Sequence, residues 1–355
     1  MSKAAVYQAS APGSLVLMGE HAVLHNHRAM AVAINKRLSV LLRPRPDKKI
    51  IIQSHLGDFE TRLTEFKVQA PFQFVLETIS RYLPQIPTGF ELSIESEFSD
   101  TLGFGSSAAV VVATLGVLEQ WLGGEPPSLF PLPFTRESPS LSPLPFTGEG
   151  GRRPGEGSGE GINPLFVTAK SIVQTVQQGK ASGIDIAASL VGGLILYRQD
   201  PFLLEKIEAS FPLVAVYSGQ KRKTSEVIQH VENLRLQQIA LYDKIFSLMD
   251  KGVEEAFNCF KKDPNHSDWS RLGSLLNLQH GLMSALGVSN TALEEIVYAL
   301  RQNDAIYGAK ISGAGLGDCV IGLAKTDFTS TPIHWPHPQY PIFSLEIAKE
   351  GLEYE

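Results

Sequence analysis

The sequence predicts an α+β protein of two domains, on the evidence of its length, one alternating segment and one long apolar segment. The chain has 355 residues, more than a single hydrophobic core usually serves, so we expect two domains that share an interface. Residues 90–98 read FELSIESEF, and this two-residue period is typical of a half-buried strand. Residues 106–122 read SSAAVVVATLGVLEQWL, a run too long for an ordinary strand and rich in small residues, which predicts a buried helix.

The remaining elements follow from apolar, β-branched runs and from helical periodicity. We predict strands at residues 14–18, 29–42, 193–197, 213–217 and 319–324, and helices at 164–178, 225–249 and 290–302. The first part of the chain is therefore rich in strands, and a turn at residues 103–107 joins strand to helix. We divide the chain into residues 1–200 and residues 201–355.

Composition excludes several classes of protein. The chain is 43% hydrophobic and 19% charged, with a formal net charge of -6, so a broad basic surface for nucleic acid is not expected. It has no apolar run of about 18 residues, and its amino terminus lacks the apolar stretch of a secretory signal. The two cysteines, Cys259 and Cys319, are too few for a disulfide scaffold and suit a reducing compartment. We expect a cytoplasmic protein that binds neither nucleic acid nor membrane.

One segment differs in composition from the rest of the chain. Residues 125–161 are dense in Pro, Gly and Ser, and they contain PLPFT twice, at 131–135 and 143–147. Such a composition buries too little apolar surface to offset the entropy lost on ordering, which predicts a disordered surface loop inserted in the first domain. A proline-rich docking peptide is the alternative.

The segment from Asp100 to Val110, DTLGFGSSAAV, has the composition of a phosphate-binding turn. Glycines allow close approach of the backbone to a ligand, and the free N–H groups of a helix's first turn attract anions. An ordinary strand-to-helix turn capped by Ser106 would read the same way. The segment is not a Walker A loop, because no Gly-Lys-Ser/Thr follows.

A second glycine-rich segment lies near the end of the chain. Residues 307–324 read YGAKISGAGLGDCVIGLA, with small residues between the glycines and an apolar strand after them. The chain carries few side-chain atoms at this point, so either a ligand phosphate or a packed helix could approach the backbone closely.

Asp185 is a carboxylate in an apolar run of small residues, GKASGIDIAASLVGG at 179–193. A carboxylate in such surroundings is costly unless it is paired or functional. It is therefore a candidate catalytic residue, with a helix cap or a hydrogen-bonded structural Asp as the alternative.

Together these segments resemble the three motifs of the GHMP kinases, the family of galactokinase, homoserine kinase, mevalonate kinase and phosphomevalonate kinase. APGSLVLMGEHAVLHNHRAMAVAIN at 11–35 resembles the first motif, LGFGSSAA the second and KISGAGLGDC the third. The resemblance extends from about residue 11 to 324 without the insert. GEHAVLH at 19–25 and SGID at 182–185 are most similar to the mevalonate kinases, which phosphorylate the 5-hydroxyl of mevalonate with ATP.

The resemblance implies a fold, a reaction and a set of site residues. The fold would be the two-domain GHMP kinase fold, with an amino-terminal domain like ribosomal protein S5 domain 2 that binds ATP and a ferredoxin-like carboxyl-terminal domain. Asp185 would face the substrate hydroxyl as the catalytic base, and Ser107 would contact Mg2+. The residues implied at the phosphates are Gly103, Phe104, Gly105, Ser106, Ser107, Gly313, Ala314 and Gly315, and those implied at the substrate are Glu20, His21 and Thr224.

Two positions depart from the family pattern. Ser14 stands where the first motif usually has Lys, and Gln174 stands eleven residues before Asp185, where the family has a glutamate that binds Mg2+. Another cation is then needed near the phosphates, and the candidates are Lys180, Lys221 and Lys310.

These departures keep other functions open. A phosphomevalonate kinase is one alternative, since Gly317-Asp318-Cys319 has that character. A catalytically inactive ATP-binding sensor and a related decarboxylase are the others. A homodimer is possible, as the family commonly forms one.

Overall fold

The structure, a computed structural model, describes residues 5–123, 162–262, 268–325 and 335–355. The segment predicted to be a disordered loop, residues 125–161, lies outside these residues. Twelve strands and eight α-helices occur in the described ranges.

The strands form two sheets. The first sheet has eight strands in the order β12-β1-β2-β5-β3-β4, and β6 extends it by pairing with both β2 and β7. The second sheet has four strands in the order β11-β8-β10-β9. All pairs are antiparallel except β3 with β5. The strands are β1 (Tyr7–Met18), β2 (Ala29–Pro44), β3 (Lys49–Ser54), β4 (Gly57–Arg62), β5 (Phe90–Ser96), β6 (Leu194–Arg198), β7 (Leu203–Ile207), β8 (Leu213–Tyr217), β9 (Ile306–Ser312), β10 (Cys319–Ala324), β11 (Ile342–Leu345) and β12 (Glu353–Tyr354).

The helices pack against these sheets. They are α1 (Gln73–Ser80), α2 (Ser106–Trp121), α3 (Pro164–Val176), α4 (Ile184–Val191), α5 (Thr224–Gln237), α6 (Ile239–Lys262), α7 (Trp269–Ala285) and α8 (Thr291–Arg301). Short 3-10 helices occur at Ala22–His25 and Leu63–Glu65. Among these helices, none combines the length and the apolar composition that crossing a bilayer requires.

Helix α2 packs against β1 and β2 of the first sheet, and it is buried, as its composition predicted. Every residue from 111 to 118 is buried, so the helix is covered on all sides over two turns. Its small side chains allow close approach to β1, and an added Cβ at Gly116 would lie 3.0 Å from that of Ala9. The C-terminal half of α2 thereby packs closely against the first residues of β1.

The predicted helix at 225–249 is wrong in detail, because two helices occupy this region. Gln238, with φ -146, separates α5 from α6. Helix α6 then continues to Lys262 with a buried stripe that includes Phe246, Met249 and Val253. The apolar spacing persists through the break, which is why the pattern did not reveal it.

The two sheets are joined at β1 and β9. The Ser312 hydroxyl on β9 donates a hydrogen bond to the Val16 carbonyl on β1 at 3.0 Å. Strands β7 and β12, both from beyond residue 200, belong to the first sheet. The chain therefore returns to the first sheet at its carboxyl end, and the division at residue 200 stays a prediction.

Candidate active site

An open cavity of about 210 Å³ lies where the two sheets meet. Its walls come from the end of β1, the N-termini of α2, α4 and α5, and the connection between β9 and β10. The lining includes many of the residues singled out in the sequence: Ser14, Glu20, His21, Gly103, Gly105, Ser106, Ser107, Asp185, Thr224, Gly313 and Ala314. Folding thus brings three distant motifs to one cavity.

The N-terminus of α2 opens into this cavity. Gly105 is its N-cap residue in the left-handed conformation, with φ 69, and no side chain caps the helix. The first N–H groups of a helix have no partner within the helix, and with the helix dipole they form an anion site. Ser106 and Ser107 therefore present both backbone N–H groups and hydroxyls to the cavity.

Glycine is required at position 105 because the chain passes very close to Ser14. A Cβ at Gly105 would lie 2.2 Å from the Ser14 hydroxyl oxygen and 3.2 Å from its backbone nitrogen. The Ser14 N–H also donates to the Phe104 carbonyl at 3.0 Å. The end of β1 and the glycine-serine turn are thus held together.

Asp185 lies in the first turn of α4 and is held by Ser14. The Ser14 hydroxyl donates to Oδ1 of Asp185 at 2.9 Å. Burial raises the pKa of the Asp185 carboxyl, and the Ser14 hydrogen bond opposes this change. A carboxylate beside the glycine-serine turn, with a raised proton affinity, is suited to accept a proton.

Glu20 and Lys310 form an ion pair at the back of the cavity. Lys310 on β9 is fully buried and Glu20 is 4% exposed, and the Lys310 ammonium donates to Oε1 of Glu20 and to the Ile311 carbonyl. Burial raises the pKa of Glu20 while the Lys310 charge lowers it. Lys310 is therefore engaged with Glu20, and this leaves Lys180 and Lys221 as the predicted cations that line the cavity.

His21 and Thr224 lie on the wall away from α2. The His21 ring Nε2 is 2.8 Å from the Ala314 carbonyl, and burial lowers the pKa of His21 to about 4. The ring is thus neutral at pH 7 and donates from Nε2 to that carbonyl. Thr224 is exposed at the first residue of α5.

Two residues implied at the phosphates lie outside the cavity lining. The Phe104 side chain is 1% exposed and packs in the core, 5.8 Å from the Phe343 ring. Gly315 packs against the connection between α7 and α8, where an added Cβ would lie 2.4 Å from the Val288 carbonyl oxygen. The Phe104 side chain therefore belongs to the core and does not line the cavity. A phosphate contact through the backbone at either position stays a prediction.

Asp318, the middle residue of the Gly317-Asp318-Cys319 tripeptide, is a further carboxylate of the cavity. It is 8% exposed, and burial raises its pKa to about 6. A carboxylate among glycines, directly before an apolar strand, is the same kind of signal that identified Asp185.

The neutral residue Gln174 is not part of this lining. Its side-chain amide donates to the Ala181 carbonyl at 3.3 Å, while Val173 and Gln177, its neighbours in the chain, line the cavity. Lys180 donates to the Ser225 carbonyl at 3.3 Å and to the Gln229 amide oxygen at 3.0 Å.

Comparison with known proteins gives matches along the whole chain. The family model "GHMP kinases N terminal domain" matches residues 72–132, and "GHMP kinases C terminal" matches residues 256–330. The chain is 32% identical to a mevalonate kinase of Pyrococcus furiosus over 98% of both chains. It is 31% identical to one of Archaeoglobus fulgidus over 98% of this chain and 99% of that one.

Solved structures agree on the fold. The Methanococcus jannaschii mevalonate kinase matches with a TM-score of 0.73 and 21% identity, covering 98% of this chain and 99% of the other. The structure of L. major mevalonate kinase in complex with R-mevalonate matches with a TM-score of 0.69 and 21% identity, covering 95% and 94%. The predicted two-domain GHMP kinase fold is confirmed.

Proposed function

The chain belongs to the mevalonate kinases of the GHMP kinase family, and we propose that it transfers the γ-phosphoryl group of ATP to the 5-hydroxyl of mevalonate. The observation that carries this proposal is the contact between Ser14 and Asp185, which fixes a carboxylate beside the phosphate-binding turn in one cavity. Phosphoryl transfer requires mainly this kind of positioning.

The N-terminus of α2 would hold the phosphates. The backbone N–H groups of Ser106 and Ser107 and the positive end of the helix dipole favour a polyanion at this position. Gly103 and Gly105, both in the left-handed conformation, line the cavity beside them. Gly313 and Ala314 line the opposite wall.

Asp185 would act as the general base. As the acceptor oxygen forms its bond to the γ-phosphorus, its proton passes to the Asp185 carboxylate, and the bond to the β-phosphate oxygen breaks to release ADP. Because burial raises the pKa of Asp185, the acid limb of the rate profile should lie above the ordinary Asp range. The Ser14 hydroxyl would keep the carboxylate oriented.

The cavity fits a nucleotide-bound Mg2+. Asp185, Asp318 and the Ser107 hydroxyl line it, and oxygen ligands of this kind suit Mg2+ together with phosphate oxygens. When bound, Mg2+ would neutralise charge on the β- and γ-phosphate oxygens during transfer. Ser107 remains the proposed hydroxyl contact.

The substrate end of the cavity would be formed by Glu20, His21 and Thr224. Mevalonate carries a carboxylate, and the cations that line this cavity are Lys180 and Lys221. The first residue of α5, Thr224, adds a hydroxyl and a helix N-terminus. The two lysines and Thr224 would bind the carboxylate, which would direct the 5-hydroxyl toward Asp185.

The test is ADP release from Mg2+-ATP with a panel of acceptors: mevalonate, mevalonate 5-phosphate, mevalonate 5-diphosphate, galactose and homoserine. We expect turnover with mevalonate. Turnover with mevalonate 5-phosphate alone would identify a phosphomevalonate kinase, for which Lys180 and Lys221 would bind the added phosphate. Release of ADP with none of them would contradict the proposal and favour a sensor.

A further inference from the structure

The Asp318 carboxylate lies directly beside the phosphate-binding turn. A Cβ built on Gly103 would be 2.9 Å from Cβ of Asp318 and 3.4 Å from Oδ1, and one built on Gly313 would be 3.9 Å from Oδ2. The side chain therefore sits between the turn that precedes α2 and the loop that follows β9. The absence of a side chain at Gly103 leaves it room, whereas a Cβ at Gly313 would make only an ordinary contact.

The backbone holds Asp318 firmly in this position. Its φ of 60 is left-handed, its N–H donates to the Gln220 carbonyl at 2.8 Å, and its carbonyl accepts from the Ser218 N–H at 2.9 Å. Asn and Asp tolerate this conformation better than most residues. The position of the backbone and the direction of the Cα–Cβ bond are thus set before any ligand binds.

The carboxylate lacks a partner that would account for its burial. Asp318 is 8% exposed, and its Oδ1 has no hydrogen-bond partner within the part of the chain that the structure describes. Buried carboxylates are normally paired or bound to a metal. A negative charge here would also repel the phosphates of a nucleotide bound at α2, unless a cation lies between them.

Lys221 and Gln174 are the two side chains that could be expected to compensate the Asp318 charge or to bind the cation, and neither does so directly. Lys221 lines the cavity and its charge lowers the pKa of Asp318, but its ammonium hydrogen bond goes to the Asp100 carbonyl. Gln174, at the position where the family has its metal-binding glutamate, is neutral and donates to the Ala181 carbonyl. The carboxylate for the cation must then come from another element.

We propose that Asp318 supplies the carboxylate ligand of the divalent cation that accompanies the nucleotide, in place of the acid missing at Gln174. Mg2+ is usually held by one or two carboxylates together with substrate phosphates and waters. The proposal rests on the proposed function in one respect, since it takes a metal-bound nucleoside triphosphate as the ligand. It does not depend on the identity of the acceptor.

The test is binding of Mn2+, followed by the electron paramagnetic resonance signal of the free ion, with and without the non-hydrolysable analogue AMPPNP. In the presence of AMPPNP, Asp318→Asn should weaken Mn2+ binding by at least about tenfold. The matched control is Asp243→Asn, which removes an exposed carboxylate outside the cavity lining that pairs with Arg235 at 2.9 Å. This control should change Mn2+ affinity by less than about twofold.

A melting experiment checks that the variant is folded. Without metal, Asp318→Asn should melt at or above the wild-type temperature because an unpartnered buried charge is removed. Adding Mn2+ and AMPPNP should then raise its melting temperature less than that of the wild type. Should Asp318→Asn fail to fold, Asp318→Gly removes the same carboxylate and tolerates the left-handed backbone.

Unchanged Mn2+ affinity in either folded Asp318 variant would overturn the proposal. Loss of Mn2+ affinity in Lys221→Met but not in the Asp318 variants would also overturn it, because Asp318 would then pair with Lys221 when the nucleotide binds. If the proposed function is wrong, the result differs: mevalonate is not phosphorylated, yet Mn2+ binding with AMPPNP still depends on Asp318.

Discussion

Replacing Lys310 with Met should strongly destabilise the protein at pH 7. Lys310 is 0% exposed and Glu20 is 4% exposed, so Met would leave a buried carboxylate without its counter-charge. Removing one partner of such a pair typically costs about 3–5 kcal/mol. Because loss of the ammonium further favours protonated Glu20, the cost should shrink as the pH falls toward about 5.

Urea unfolding followed by tryptophan fluorescence measures this free energy. The double variant Glu20→Gln/Lys310→Met carries no charge at either of these two positions and should recover most of the loss. Lys49→Met is the control, because Lys49 pairs with Glu60 at 2.7 Å on the surface and should cost less than about 1 kcal/mol. A Lys310→Met cost below about 1 kcal/mol, or a double variant that simply adds the two single losses, would refute the reasoning.

Three further predictions concern the cavity. Asp185→Asn should lower kcat by at least about 100-fold with little change in AMPPNP affinity, and a variant that keeps more than about a tenth of the rate would remove Asp185 from the chemistry. The free energy of unfolding should rise with pH between about 4 and 6.5, because the pKa of His21 falls from 6.5 to about 4 on folding. In urea unfolding, His21→Gln should reduce this rise by about 3 kcal/mol, and an unchanged dependence on pH would contradict the prediction. Gly105→Ala should weaken AMPPNP binding at least about tenfold in calorimetry. Gly123→Ala, with the same backbone sign (φ 76) and no atom of the described residues within 4 Å of the new Cβ, should bind normally, and equal effects would contradict the clash with Ser14.

Local patterns predicted the elements that carry their own signal. The alternation at 90–98 contains β5, and the small-residue run from Ser106 gives α2. The apolar runs at 213–217 and 319–324 coincide with β8 and β10. Helix α7, with leucines on more than one side and a buried polar residue at Gln279, was not predicted, nor was the hairpin of β3 and β4. Their patterns are weak because packing against other elements, rather than local periodicity, stabilises them.

The site residues divide in a similar way. Asp185 and the Ser106-Ser107 pair could be identified from the sequence, because a carboxylate in an apolar run and a glycine-serine turn before a helix are unusual locally. The inward position of Phe104 could not be identified, since its burial depends on Phe343, a residue of another sheet. The same holds for Gly315, whose neighbour Val288 follows a different helix.

By itself the sequence determined the family, the order of the motifs and the chemical groups available for phosphoryl transfer. Only the tertiary structure decided which of those groups meet. Glu20 and Lys310 are 290 residues apart and pair in the core, and Ser14 reaches Asp185 across 171 residues. Such contacts follow from the packing of two sheets against shared helices. A charged group or a hydroxyl meets its partner only when this tertiary packing brings distant parts of the chain together.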